Sequence, residues 1–96
     1  MATFITLITE TDKGRTHITE SVDRAQRLRE DAAKYKVKVT GMYWTLGSYD
    51  GVLVFESDTD EHAAAFLQHV TFQGNVRTQT LRAFNADEAR TILKSV

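Results

Sequence analysis

The densest chemistry in this chain is an aromatic and acidic run, Tyr43, Trp44, Tyr49 and Asp50. Phenol and indole rings offer an apolar body with one polar handle, and a carboxylate held beside them serves as a base or an anchor where a pocket lies against it. The same residues also have structural uses. Tyr43 and Trp44 are neighbours on a strand and project to opposite sides of a sheet, one into the core and the other toward a partner or a pocket. Asp50, in a turn, is suited to bonding nearby backbone amides. Arg77 and Arg82 are the cations placed to grip a carboxylate or phosphate with paired bonds. Five residues apart on one strand, they face opposite ways, so at most one lines a given cavity. His17 lies near Lys13 and Arg15, just before the first helical stretch, where the mouth of a site can open. The candidate ligand-binding residues are therefore His17, Tyr43, Trp44, Tyr49, Asp50, Arg77 and Arg82, with no catalytic set assigned.

Other chemistries lack their residues. There is no cysteine, which removes disulfides, thiolate catalysis and zinc–thiolate sites together. His62 and His69 sit seven apart on one helical stretch, roughly 10.5 Å along its axis, too far to share an ion within a chain. No serine, histidine and acid stand in a nucleophile motif, and no glycine-rich phosphate loop is present. No metal and no cofactor is expected. Twelve Lys and Arg against thirteen Asp and Glu leave a net charge of −1, without the basic excess that tracks phosphates, so nucleic acid is not an expected partner. No apolar run approaches the length of a membrane span, and Met1 leads almost directly into a strand-like stretch instead of a signal peptide, so a cytoplasmic protein without membrane contact is expected.

The elements that must position these residues can be read from periodicity. Thr3 to Thr9 is β-branched and aromatic, with Phe4 and Ile8 on one face and Ile5 and Leu7 on the other, the pattern of a strand buried on both sides. Residues 11–16 read as a polar turn. Ile18, Val22, Ala25, Leu28, Ala32 and Tyr35 then recur at helical spacing, opposite a solvated stripe of Asp23, Arg24, Arg27, Glu30, Asp31 and Lys34, in which Arg27 can pair weakly with Glu30 or Asp31. Val37 to Leu46 and Gly51 to Glu56 predict a hairpin around the tight reversal Gly47-Ser48-Tyr49-Asp50. Asp58, with Glu61 three residues on, predicts the N-cap of a second helix bearing Ala63, Phe66, Leu67 and Val70. After Gly74-Asn75, Val76 to Phe84 reads as a fourth strand, and Asn85 with Glu88 caps a short terminal helix carrying Ala89, Ile92, Leu93 and Val96.

The order βαββαβ predicts an α+β, ferredoxin-like domain spanning residues 1–96: a four-stranded antiparallel sheet, two helices on one face, and a short C-terminal helix. Two helices cover one sheet face only. In the second strand Val37, Val39 and Tyr43 are assigned to one side and Met42, Trp44 and Leu46 to the other, and the third strand divides Val52 and Val54 from Leu53 and Phe55. An apolar face is left over, and a large one is rare on a stable monomer. Packing against a second copy, as a dimeric α/β barrel, covers it; folding of the terminal helix across it is the alternative.

At Tyr43-Trp44-Thr45-Leu46-Gly47-Ser48-Tyr49-Asp50, Gly74-Asn75-Val76-Arg77-Thr78 and Thr80-Leu81-Arg82-Ala83-Phe84, the chain resembles the GYD family of small bacterial and archaeal proteins, with Gly47-Ser48-Tyr49-Asp50 as the naming segment. The likeness runs from Phe4 to about Phe84. It implies a ferredoxin-like domain related to dimeric α/β-barrel proteins, and it marks Tyr43, Trp44, Gly47, Tyr49, Asp50, Asn75, Arg77 and Arg82 as positions of interest without roles. Gly51 after Asp50, and the approach to Gln73-Gly74 through Thr71 and Phe72, depart from the family pattern at what would be a pocket rim. Two functions fit: a homo-oligomeric small-molecule-binding or accessory module, or a cofactor-independent enzyme, monooxygenase- or isomerase-like, with Asp50 or His17 as base, Tyr49 as hydrogen-bond donor and Arg77 or Arg82 as anion clamp.

Overall fold

The β-branched run near the N-terminus forms β1 (Ala2–Glu10), one of the two central strands of an antiparallel sheet ordered β2-β3-β1-β4 in a computed structural model that describes residues 1–96. Its partners are β2 (Val37–Trp44), β3 (Gly51–Ser57) and β4 (Val76–Ala83). Four helices complete the chain: a short α1 (Asp12–Arg15), α2 (Ser21–Asp31), α3 (Asp60–Thr71) and α4 (Ala86–Leu93). The ferredoxin-like arrangement expected from the order of elements is present.

Register decides which side chains reach the helices. Phe4 stands opposite Phe55, Thr6 opposite Leu53 and Ile8 opposite Gly51, so these share the helix-covered face. Phe4 stacks on Phe55 at 5.2 Å between ring centroids, and Phe66 of α3 meets Phe55 edge-on at 5.2 Å. Leu53, Phe55 and Phe66 are wholly buried, with Ala32, Val37 and Ala63 closing the core around them. The polar groups buried there are satisfied: Thr6 and Thr80 hydroxyls bond at 2.9 Å, and Ser57 Oγ donates to the Thr59 carbonyl.

Several local expectations are corrected. Residues 11–16 contain the helical turn α1, with Thr11 accepting from the Gly14 amide. The helix predicted from Ile18 to Tyr35 is α2 flanked by 3-10 turns at Ile18–Glu20 and Ala32–Tyr35, ended by Lys36 in the left-handed region (φ 57°). Of its apolar stripe, Ala32 is buried and Ala25, Leu28 and Tyr35 are half-buried, while Ile18 and Val22 lie in solvent. The α3 cap is Thr59, which accepts from the His62 amide; Asp58 instead bonds His62 Nδ1 at 2.6 Å. The Asn85–Glu88 capping box on α4 is present as read.

The largest correction concerns β2. A bulge between Val39 and Gly41 leaves Thr40 without a register partner, and the extra residue reverses the alternation beyond it. Val39 pairs with Phe55 and Met42 with Leu53, so Val37, Val39 and Met42 all face the helices, and Tyr43, opposite Val52, faces away. The grouping of Val39 with Tyr43 against Met42 is therefore wrong. At Gly41 a Cβ would lie 3.1 Å from the Tyr43 ring folded over it, a tight contact that the exposed ring would relieve by shifting a few tenths of an ångström. Leu46 is not on the strand at all and is fully exposed.

The far side of the sheet has no cover. Ile5 pairs with Val54 and Leu81, and Leu7 with Val52 and Gln79, giving a stripe of Ile5, Leu7, Val52, Val54 and Leu81 with Tyr43 at its edge. Helix α4 does not cross this face. It packs closely on no other element and has no buried residue; Ile92 and Leu93 are exposed, and the molecule is drawn out to 48 × 31 × 17 Å.

Candidate functional site

Where β1 ends, three chain reversals are tied together. Asp50 accepts from the Glu10 amide through Oδ2 (2.8 Å) and from Arg15 Nη2 through Oδ1 (3.2 Å), and its own amide donates to the Ile8 carbonyl. Thr45 closes the loop of residues 45–50, donating from its amide to the Asp50 carbonyl and from its hydroxyl to that of Tyr49. The Thr11 amide donates to Asn75 and the Thr11 hydroxyl to Gly74, fastening the α3–β4 turn to the same corner. Gly14 makes this fit possible, since a Cβ there would come within 2.0 Å of the Asn75 carbonyl oxygen and 2.2 Å of Glu10 Oε2.

The anchoring role of Asp50 sets a measurable expectation. Asp50→Ala removes an acceptor from the part-buried Glu10 amide and an ion pair with Arg15, for an expected loss of about 1–2 kcal/mol in urea unfolding. Asp50→Asn keeps an oxygen for the amide and loses only the charge, with less than half that effect. Equal losses from the two variants would show that the Arg15 pair, not the amide bond, does the anchoring.

Above this corner, between α2, α3 and the sheet, lies a half-open cavity of about 320 Å³. Its walls include Ile8, Leu28, Met42 and Val70, and its polar margin includes Glu10, Arg24, Arg27, Asp31 and His69. Arg24 turns inward from α2 and donates to Glu10 Oε1 at 3.1 Å; the two side chains retain only 19% and 7% exposure. Glu10 Oε2 and Arg24 Nη1 are buried without partners. At the opposite margin, His69 Nε2 bonds Asp31 Oδ2 at 3.1 Å, joining α3 to α2, with the imidazole between the rings of Tyr35 and Phe72. Lys34 takes the other oxygen of Asp31, so the weak pair expected between Arg27 and Asp31 does not form.

The histidine bond holds the Asp31 carboxyl below the usual carboxylate range, with Lys34 assisting and burial opposing; His62 lowers Asp58 in the same way. A depressed folded value means that the stabilisation is complete above the unfolded pKa of 3.8 and is lost as pH falls through the folded value. His69→Phe keeps a ring between Tyr35 and Phe72 but removes the donor. Its stability is expected to fall less than that of the unaltered protein below about pH 4, as read by urea midpoints against pH; parallel curves would show that the α2–α3 tie is not electrostatic.

The structure disperses the residues singled out from the sequence. Trp44 and Asp50 border the cavity, Trp44 donating from Nε1 to Ser21 on α2 at 3.2 Å. Tyr43 and Arg77 project from the opposite face, where Tyr49 donates to Gln79 at 3.0 Å. Arg82 is on the helix side of β4, its guanidinium over the rings of Phe84 and Phe4 and bonded to the Ala83 carbonyl. His17 is exposed beside Thr16 and the Lys13 carbonyl, outside the cavity. Tyr43 and Trp44 thus diverge, and Arg77 and Arg82 diverge, as strand geometry requires. No three acidic or histidine side chains converge on a metal-sized site, and no helix is long and apolar enough to cross a membrane.

Sequence reasoning missed Glu10, Arg24, Asp31 and His69. Periodicity puts Arg24 and Asp31 on the solvated stripe of the helix, and Glu10 falls between the strand read from Thr3 to Thr9 and the polar turn read over residues 11–16. One signal was available: Arg24 is one residue from Ala25 and four from Leu28, on the shoulder of the apolar stripe, where a long side chain can turn inward.

Comparison with known proteins agrees with this architecture. Over 84 residues the chain is 33% identical to a Thermus thermophilus protein named glutamine synthetase and cystathionine beta-lyase binding protein, an overlap of 86% of this chain and 88% of that one. Among solved structures, the Thermus thermophilus protein TTHA0845 is similar at a TM-score of 0.50 and 30% identity, covering 90% of this chain and 96% of its own. The protein FFRP-DM1 shares the fold at a TM-score of 0.61 and 20% identity, over 88% of this chain and all (100%) of that one. A hypothetical protein from Pyrococcus horikoshii does so at 0.61 and 22%, over 88% and 92%. The model of the GYD domain matches residues 4–93, and with the naming segment Gly47-Ser48-Tyr49-Asp50 closing the corner beneath the cavity, the chain belongs to the GYD family.

Proposed function

We propose that this protein is a homo-oligomeric binding module that acts in the cytoplasm as an accessory to other proteins, with a small-molecule site on the helix side of its sheet. The uncovered apolar stripe of Ile5, Leu7, Val52, Val54 and Leu81 carries the reading. Burying such a stripe returns about 25 cal/mol per Å² of apolar surface, and a second copy supplies a matching surface of the same shape, as a two-fold dimer requires. The two sheets facing one another would form a dimeric α/β barrel. The exposed α4, with Ile92 and Leu93 free, leaves a further apolar surface for a protein partner. The name of the Thermus relative, a binding protein for two enzymes, supports a role of that kind.

The alternative, a cofactor-independent enzyme, assigns the base to Asp50 or His17. Asp50 gives both its oxygens to Glu10 and Arg15, and His17 does not line the cavity, so binding is the better account.

Native mass spectrometry tests the association. A dimer or a multiple of it is expected at micromolar concentration, and Val54→Arg, which changes the open face and leaves the core untouched, is expected to give a folded monomer. A monomeric unaltered protein overturns the reading, as does a Val54→Arg protein that stays dimeric.

A further inference from the structure

The helix-side cavity is charged unevenly once its bonds are counted. Each carboxylate at its margin already holds a cation: Glu10 holds Arg24, Asp31 holds Lys34, and Asp50 holds Arg15. The free oxygen of Glu10 is walled off against Gly14, in the space a Cβ would occupy. The cations are less fully used. Arg24 makes one hydrogen bond and buries Nη1 without a partner, and Arg27, three residues on and also at the margin, has none. A guanidinium carries five donors in a fixed fork; Arg27 has its whole fork free, and Arg24 beside it keeps 19% of its side chain exposed although Nη1 is closed off, so the two together match an incoming carboxylate. Beside the arginines the lining includes the apolar side chains of Ile8, Leu28, Met42 and Val70, and the volume, about 320 Å³, is at the low end for ligand cavities.

We propose that this cavity takes a small monocarboxylate with an aromatic or branched-aliphatic body, its carboxylate on Arg24 and Arg27 and its body against Ile8, Leu28, Met42 and Val70. A dicarboxylate would bring its second charge onto those apolar side chains or toward Asp31 and Asp50, and a cation would find the carboxylates at the margin already paired. The assignment deepens the binding-module reading by naming the ligand class. It does not depend on the second copy, because the cavity and the open stripe lie on opposite faces of the sheet.

The test is a methyl-resolved NMR titration of the intact protein with phenylacetate, 4-methylpentanoate and, as the uncharged control, phenylacetamide. Saturable shifts of the Ile8, Leu28, Met42 and Val70 methyl groups are expected with both carboxylates, and phenylacetamide is expected to bind about tenfold more weakly. Arg24→Gln strips the Glu10 carboxylate of its partner and risks the fold. Arg27→Gln removes a side chain that holds nothing, so its melting temperature should be unchanged while phenylacetate affinity falls about tenfold and phenylacetamide affinity stays the same. Absence of saturable shifts at low-millimolar carboxylate overturns the proposal, as does equal binding of acid and amide, or an Arg27→Gln protein with unchanged phenylacetate affinity. Carboxylate binding by a protein that is monomeric in native mass spectra would leave the ligand assignment standing and remove the association alone.

Discussion

Phe66→Ala is expected to cost about 3–5 kcal/mol, a large part of the 5–15 kcal/mol by which domains of this size hold together. Phe66 is the one large side chain that α3 drives fully into the sheet, where its edge meets the wholly buried Phe55, itself stacked on Phe4. Removing the ring takes away its transfer energy, leaves a void bounded by rigid strands on one side, and ends an edge-to-face contact. With 96 residues folding hides only about two-thirds of the chain's surface, so no second core compensates. Phe72, near the end of the same helical segment and 69% exposed, is the control: Phe72→Ala should lie within about 0.5 kcal/mol of the unaltered protein. Urea midpoints decide the matter. Similar shifts for the two phenylalanines would mean that α3 is held by its outer rings and not by the stacked trio.

Arg24→Met is expected to cost about 3 kcal/mol, because it leaves Glu10, with 7% of its side chain exposed, as a buried charge with no counter-ion. The pair itself contributes far less than its rupture costs, since desolvation of both groups offsets most of their attraction. Adding Glu10→Gln to Arg24→Met should therefore recover more than half of the loss. A double-mutant cycle by urea unfolding measures this directly. If the losses simply add, the two side chains act independently and no ion pair ties β1 to α2.

The architecture was legible because its strongest signals are periodic. The alternation of β1 and the i, i+3, i+4 pattern of α3 survive tertiary packing, and the Asn85–Glu88 box is a local device that needs no context. The bulge at Thr40 was not legible. Threonine is an ordinary strand residue, and the extra position shows only in the pairing of Val39 with Phe55 and Met42 with Leu53, which is long-range information. The Asp58 cap failed because Thr59 offers an equally good acceptor one residue later, and the carboxylate had a competing donor in His62. The site residues divided in the same way. Trp44 and Asp50 could be found as an aromatic–acid cluster, whereas Glu10 and Arg24 become a pair only when β1 and α2 are laid side by side. A charged residue on the shoulder of a helix reads as solvated until the strand beneath it is known.

The corner that joins Asp50 to Glu10 and Ile8, and Thr11 to Asn75 and Gly74, also limits how the chain can change in length. Three reversals are cut to fit one another there, so an insertion in residues 45–50, in α1 or before β4 would withdraw a bonded group from two neighbours at once. At the other end of the sheet, α4 leaves beyond β4 with almost nothing resting on it. Natural variants should therefore lengthen or shorten at the α4 end, while the spacing around Gly47-Ser48-Tyr49-Asp50 stays constant for reasons of carpentry, whatever the ligand or partner turns out to be.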